Sequence, residues 1–286
     1  MKNYRVYLAT LATVMLLAAS CKKSDTAPEG DVVNKDVSYG AGAAQKMDVY
    51  LPASRSSDST KVIVLIHGGA WISGDKADFD SVVLALKTQL PSYAIFNINY
   101  SLATITGANL WPAQMDDVNS ALSFIIGKKA EYRVNTGKII MLGASAGAHL
   151  ALLQAYKFNT GGNIKAVVDL FGPADIVDLY NHPADPTYPQ LLSIWLKGTP
   201  TTAAEAYTAA SPIQHITPQA PPTIIFHGTA DDVVPISQSA ALKGALTNKG
   251  VTSEYYTYNG QKHGWVGTDL LDTYTKAIAF ITKTVQ

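Results

Sequence analysis

The run Lys138-Ile139-Ile140-Met141-Leu142 leads straight into Gly143-Ala144-Ser145-Ala146-Gly147, and His149 to Tyr156 (HLALLQAY) follows. The first stretch is apolar and reads as a buried strand; the last, rich in Leu and Ala, reads as a helix. The small residues between them permit a sharp backbone reversal, which leaves Ser145 at the vertex with its Oγ exposed. A lone G-x-S-x-G match carries little weight, but with a strand before it and a helix after it the pentapeptide reads as a nucleophile elbow.

A serine hydroxyl is a poor nucleophile near neutral pH, so this reading requires a histidine to accept its proton and an acid to orient that histidine. Both candidates lie downstream. Pro222 to Phe226 reads as a buried strand, and His227-Gly228-Thr229-Ala230-Asp231-Asp232-Val233-Val234-Pro235 sets carboxylates just beyond its carboxyl end. Asp231 and Asp232 compete for the role of acid, Asp232 also suiting a cap for the next helix. Further on, Asn259-Gly260-Gln261-Lys262-His263-Gly264-Trp265 puts His263 in a glycine-flanked loop. The order Ser, Asp, His is that of the α/β-hydrolase arrangement and differs from the chymotrypsin and subtilisin orders.

Upstream, Lys61 to Ile66 reads as a strand entering His67-Gly68-Gly69-Ala70-Trp71. The amides of Gly69 and Ala70, with that of Ala146 after the nucleophile, are the expected oxyanion donors, the register of the loop staying open by one residue. Each such donor stabilises a transition state by about 3 kcal/mol.

At 286 residues, 47% hydrophobic and 15% charged, the chain suits one large α/β domain, since the catalytic parts are spread along it. Lys plus Arg equals Asp plus Glu, 22 each, which gives no electrostatic case for a nucleic-acid or polybasic membrane partner and points to neutral or weakly charged substrates. Residues 1–21 read as a lipoprotein-type signal peptide: Lys2 and Arg5, an apolar run from Val6 to Ala19, then Leu17-Ala18-Ala19-Ser20-Cys21. Cys21, the single cysteine, is the expected lipidation site, giving an extracytoplasmic, membrane-anchored protein. Residues 22–35 read as a flexible tether and 36–286 as the catalytic domain.

Within that domain a hairpin is expected over Asp36 to Tyr39 and Lys46 to Leu51. Strands follow at Val62–Ile66, Ala94–Asn99, Lys138–Leu142, Ala166–Leu170, Thr223–Phe226 and Glu254–Tyr258, and helices at Ala113–Ile126, Ala240–Leu246 and Leu270–Thr284. Such alternation implies a mostly parallel sheet covered by helices on both faces. The segment between Gly172 and Pro222, with Tyr180, Tyr188, Trp195 and Tyr207, reads as a small cap.

These landmarks together resemble the α/β-hydrolase superfamily, and within it the hormone-sensitive-lipase-like esterases and the bacterial feruloyl and acetylxylan esterases. The likeness runs from about Asp36 to Thr284 and includes Gly74-Asp75-Lys76, Asn99-Tyr100, Trp111-Pro112-Ala113-Gln114, Asp116-Asp117-Val118 and Ala210-Ser211-Pro212-Ile213. It implies an α/β-hydrolase fold with an eight-stranded sheet and a small cap. It also implies a Ser145, Asp231, His263 triad acting on acetyl, feruloyl or other small esters without cofactor or metal. Ala70 stands where many relatives have a third glycine, and Ser101 where arginine is frequent, so pocket shape and not the triad sets the substrate. An arylformamidase, amidase or peptidase is the second reading, because arylformamidases share a similar H-G-G-x-W loop; a non-catalytic binding module is the third.

Trp71 is expected either to pack beneath the oxyanion loop or to line the acyl pocket. With Trp195 and Tyr180 it completes the substrate-binding candidates, and Tyr188 could stack on substrate in the same way. His149, His67 and His227 read as structural, and Asp116 and Asp117 as first-turn helix acids.

Overall fold

A computed structural model describes residues 30–286. The signal peptide, Cys21 and tether residues 22–29 lie outside the described residues. Eight strands form one sheet: β1 (Val32–Ser38), β2 (Lys46–Leu51), β3 (Val62–Ile66), β4 (Ala94–Ile98), β5 (Ile139–Ala144), β6 (Ile164–Leu170), β7 (Thr223–Gly228) and β8 (Ser253–Tyr258). Their order is β1-β2-β4-β3-β5-β6-β7-β8. β1 and β2 pair antiparallel, as do β2 and β4; every later pair is parallel. This is the α/β-hydrolase arrangement expected from the sequence.

β3 shows how the sequence builds this sheet. Its side chains alternate faces, so Val62, Val64 and Ile66 enter one core while Ile63 and Leu65 enter the other. A strand buried on both sides has no polar face to offer, which is why it reads as a continuous apolar run. Helices α1 (Asp80–Gln89) and α9 (Gly267–Thr284) cover one face. The other face carries α2 (Ala113–Gly127), the single turn α3 (Lys129–Tyr132), α4 (Ala146–Lys157), the cap helices α5 (Ile176–Asn181), α6 (Tyr188–Trp195) and α7 (Ala204–Ala210), and α8 (Ser237–Asn248).

The start of the domain differs from expectation. β1 begins at Val32, so residues 32–35, read as tether, belong to the sheet: Val32 pairs with Leu51, Val33 with Tyr50 and Asn34 with Val49. Lys35 Nζ then donates to Asp48 Oδ2 at 2.7 Å and to the Tyr50 hydroxyl at 2.6 Å. The stretch looks like a linker because it continues a polar run containing Pro and Gly, and at the sheet edge most of its side chains stay exposed.

Candidate active site

The elbow forms where β5 ends and α4 begins. Ser145 has φ 52° and ψ −122°, a conformation that L-residues rarely hold and that costs on the order of 1–3 kcal/mol. The neighbouring glycines make the bend possible. A Cβ on Gly147 would stand 2.0 Å from the Ile66 carbonyl oxygen, and one on Gly143 would stand 2.4 Å from the carbonyl of Gly147. Helix α4 therefore crosses directly against the ends of β3 and β5, and Ser145 is held over the carboxyl edge of the sheet.

The loops after β7 and β8 bring the other two side chains to it. The Ser145 Oγ and His263 Nε2 are 2.8 Å apart, with the hydroxyl placed to donate, and His263 Nδ1 lies 2.8 Å from Asp231 Oδ2. The Asp231 side chain is fully buried. Burial favours its neutral form, but hydrogen bonds from His227 and His263 and from the Val233 amide outweigh burial and hold its carboxyl well below the usual carboxylate range. Asp232 is exposed and pairs with Lys262 at 2.7 Å, so of the two adjacent acids Asp231 meets the histidine.

The loop after β3 is also strained: Gly69, Ala70 and Trp71 have φ of 109°, 50° and 65°. The Gly69 carbonyl is tied inward by the amides of Ile72 and Ser73, at 3.0 and 2.9 Å. The amides of Gly69 and Ala70 lie in this loop, and that of Ala146 lies at the first residue of α4, where a helix leaves its leading N–H groups without an intrahelical partner. Two neighbouring contacts brace this loop: the Tyr100 hydroxyl donates to the carbonyls of His67 and Gly68, both at 3.2 Å, and the Tyr100 ring stacks on His67.

A cleft of about 360 Å³ opens beside Ser145, and its walls include Ala70, Asp78, Phe171, Tyr188, Val233 and His263. Trp71, Trp195 and Tyr180 are not among its walls, which corrects the substrate-binding assignment. Trp71 and Trp195 are each 1% exposed and stack with centroids 4.1 Å apart. Trp71 Nε1 donates to His149 Nδ1 at 3.2 Å, His149 Nε2 donates to the Ala210 carbonyl at 2.6 Å, and Trp195 Nε1 donates to Gln114 at 2.9 Å. Indole N–H groups that find buried partners pull their rings into the core. These contacts tie the loop after β3, α4, the cap and α2 together. Burial also lowers the His149 pKa to about 4, against the opposing effect of the Ala210 carbonyl, so the ring is neutral. Tyr180 packs edge-on against Tyr207 within the cap.

Of the aromatic cap residues noted in the sequence, Tyr188 is the one that reaches the cleft. Phe171 escaped notice, although its place just after β6, at the carboxyl edge of a parallel sheet, was a usable signal. Its ring meets that of His263 edge-on at 4.6 Å. Asp117 also does more than a first-turn acid: it is buried and accepts from the Ser101 amide at 2.7 Å and from Gln45 at 2.6 Å. Asp116 stays exposed in the first turn of α2, as expected. Among the described residues, no group of three or more His, Cys, Asp or Glu side chains could hold a metal ion.

With fold and geometry in view, the comparisons with known proteins define the class. The family model described as BD-FAE matches residues 47–246, so the chain belongs to the BD-FAE family of α/β-hydrolases. It is similar to the probable carboxylic ester hydrolase LipM of Mycobacterium tuberculosis, 30% identical over 71% of this chain and 49% of that protein. The chain spans about half the length of the curated relatives it matches. Among solved structures it is similar to a truncated carbohydrate esterase from gut microbiota, 26% identical with TM-score 0.76 over 92% of this chain and 98% of the other. It is also similar to a bifunctional GH43-CE protein of Bacteroides eggerthii, 28% identical with TM-score 0.77 over 89% and 38%.

Proposed function

We propose that this chain is a serine carboxylic-ester hydrolase that removes small acyl groups carried on carbohydrate, with Ser145, His263 and Asp231 as its triad. The observation that carries the reading is the unbroken line of two 2.8 Å contacts from Ser145 Oγ through His263 to Asp231. The Ser145 Oγ attacks the ester carbonyl carbon while His263 Nε2 accepts its proton, and the negative charge that develops on the carbonyl oxygen meets the amides of Ala146, Gly69 and Ala70. Collapse of the tetrahedral intermediate breaks the bond to the alcohol oxygen, which takes the proton from His263 and leaves an acyl-serine. Water then attacks the acyl-enzyme, giving up its proton to His263, and the acid departs as Ser145 recovers its hydrogen. Asp231 stays ionised throughout and holds the imidazole in the Nδ1–H form.

The carbohydrate half of the proposal draws on the carbohydrate esterase from gut microbiota and the GH43-CE protein, and on an expected extracytoplasmic, Cys21-anchored location where such substrates occur. The cleft walls suit it: polar Asp78 and Tyr188 can meet sugar hydroxyls, and Phe171 offers an apolar ring. Acetate and ferulate release from acetylated xylan and feruloylated arabinoxylan tests this. The proposal expects one of the two acids to appear; hydrolysis of simple aryl esters with neither polysaccharide cleaved would remove the carbohydrate part.

A further inference from the structure

The triad acid has a second histidine on it. Asp231 Oδ1 accepts the amides of Val233 and Val234, both at 2.9 Å. His263 Nδ1 lies 2.8 Å from its Oδ2, and His227 Nε2 lies 3.1 Å from the same oxygen. The side chains of both Asp231 and His227 are fully buried. His227 Nε2 also lies 2.9 Å from the Val234 carbonyl, and its Nδ1 lies 2.7 Å from the Ser239 hydroxyl on α8.

The proton positions follow from the partners. A carboxylate and a carbonyl are both acceptors, so His227 Nε2 carries a hydrogen, which bonds the Val234 carbonyl and lies beside Asp231 Oδ2 at 3.1 Å. The Ser239 hydroxyl meets Nδ1, so both ring nitrogens have a polar partner. The ionisable groups facing this ring are Asp231 and, through it, His263, from the loops after β7 and β8, and Asp169 of β6, whose carboxyl senses His227. α8 contributes the uncharged Ser239.

We infer that His227 is a positioning residue that holds Oδ2 of Asp231 beside His263, and that Ser239 sets its tautomer. The inference rests on the proposed Ser145-His263-Asp231 chemistry. His227 touches no reacting atom. It sets an N–H 3.1 Å from Oδ2, which opposes rotation of the carboxylate as His263 gains and loses its proton. It also competes with His263 for the same oxygen. Removing it frees that oxygen to hold protonated His263 more firmly, so protonation switches the enzyme off at a higher pH.

The test compares His227→Phe, which keeps a ring without a donor, with His227→Gln, whose Nε2 can still donate to Asp231. Both are assayed for p-nitrophenyl acetate hydrolysis across pH, with folding checked by circular dichroism. The Phe variant is expected to lose roughly 10- to 100-fold in kcat with KM nearly unchanged, and the acid limb of its kcat/KM profile is expected to move to higher pH. The Gln variant should recover most of both. Ser239→Ala should move the limb the same way but less, and should have no effect in the His227→Gln background, which has no second ring nitrogen.

A folded Phe variant with the wild-type kcat and acid limb would overturn the inference. Should that variant not fold, a Ser239→Ala profile identical to wild type would do so. An inactive wild type would instead remove the proposed function, leaving the two failures distinguishable.

Discussion

Asp231 and Asp232 sit side by side in one loop, yet the fold gives them opposite fates. Asp231 is buried with a donor on every acceptor site, while Asp232 projects into solvent against Lys262. Asp231→Asn should lower kcat by about four orders of magnitude, because an amide can hold His263 in the wrong tautomer. Asp232→Asn should leave kcat within about twofold, since exposed ion pairs contribute little; steady-state kinetics on both variants checks the pair. The convergence of Ser145, Asp231 and His263 was legible because each sits in a short segment whose neighbours mark a strand end and a turn. The roles of Trp71, Trp195 and Tyr188 were not. An aromatic side chain suits a core and a binding wall equally well, and only its three-dimensional neighbours decide between them.

At the scale of elements, the contact between α4 and the end of β3 governs how Ser145 is presented. Gly147→Ala would press a methyl group onto the backbone oxygens of Ile66 and His67, at 2.0 and 2.3 Å, where neither strand can move aside. The variant should lose about 3 kcal/mol of stability and melt roughly 5–10 °C lower. Gly127→Ala, at the open end of α2, has nothing within 4 Å of the new methyl and should be neutral or slightly stabilising. Thermal melts of the two variants separate close packing from helix propensity. Here the sequence read well: β3 and β2 fall on the expected residues, and the other strands and long helices shift by a few residues at their ends. β1 read poorly, because the hydrogen bonds that recruit residues 32–35 come from β2, and the short run Val32-Val33-Asn34-Lys35 follows a polar stretch containing Pro and Gly.

Across the whole molecule, two buried groups oppose each other in the pH dependence of stability. His149 is fully buried with its pKa lowered to about 4, so between pH 6.5 and 4 the unfolded chain binds more protons and stability falls as pH falls. Asp169 is fully buried with its pKa raised to about 7, chiefly by burial and against the Gly172 amide and His227. Between pH 3.8 and 7 its native state holds the extra proton, so its contribution is lost as pH rises. The two slopes, about 1.4 kcal/mol per pH unit each, nearly cancel between pH 4 and 6.5. Asp169→Asn should uncover the His149 slope, gaining stability over wild type by about 2–3 kcal/mol more at pH 6.5 than at pH 4.5; urea unfolding at both values measures it. The same body holds the cap, the loop after β3 and α4 together through Trp71, His149 and Trp195. That rigidity lets Ser145 hold its strained backbone, and the central claim is that this serine is the nucleophile. It is tested most directly by hydrolysis of p-nitrophenyl acetate by wild type and Ser145→Ala at matched folding. The account predicts turnover by the wild type and a loss of about four orders of magnitude or more in the variant, with an unchanged melting temperature. Equal hydrolysis by a folded Ser145→Ala protein would contradict it.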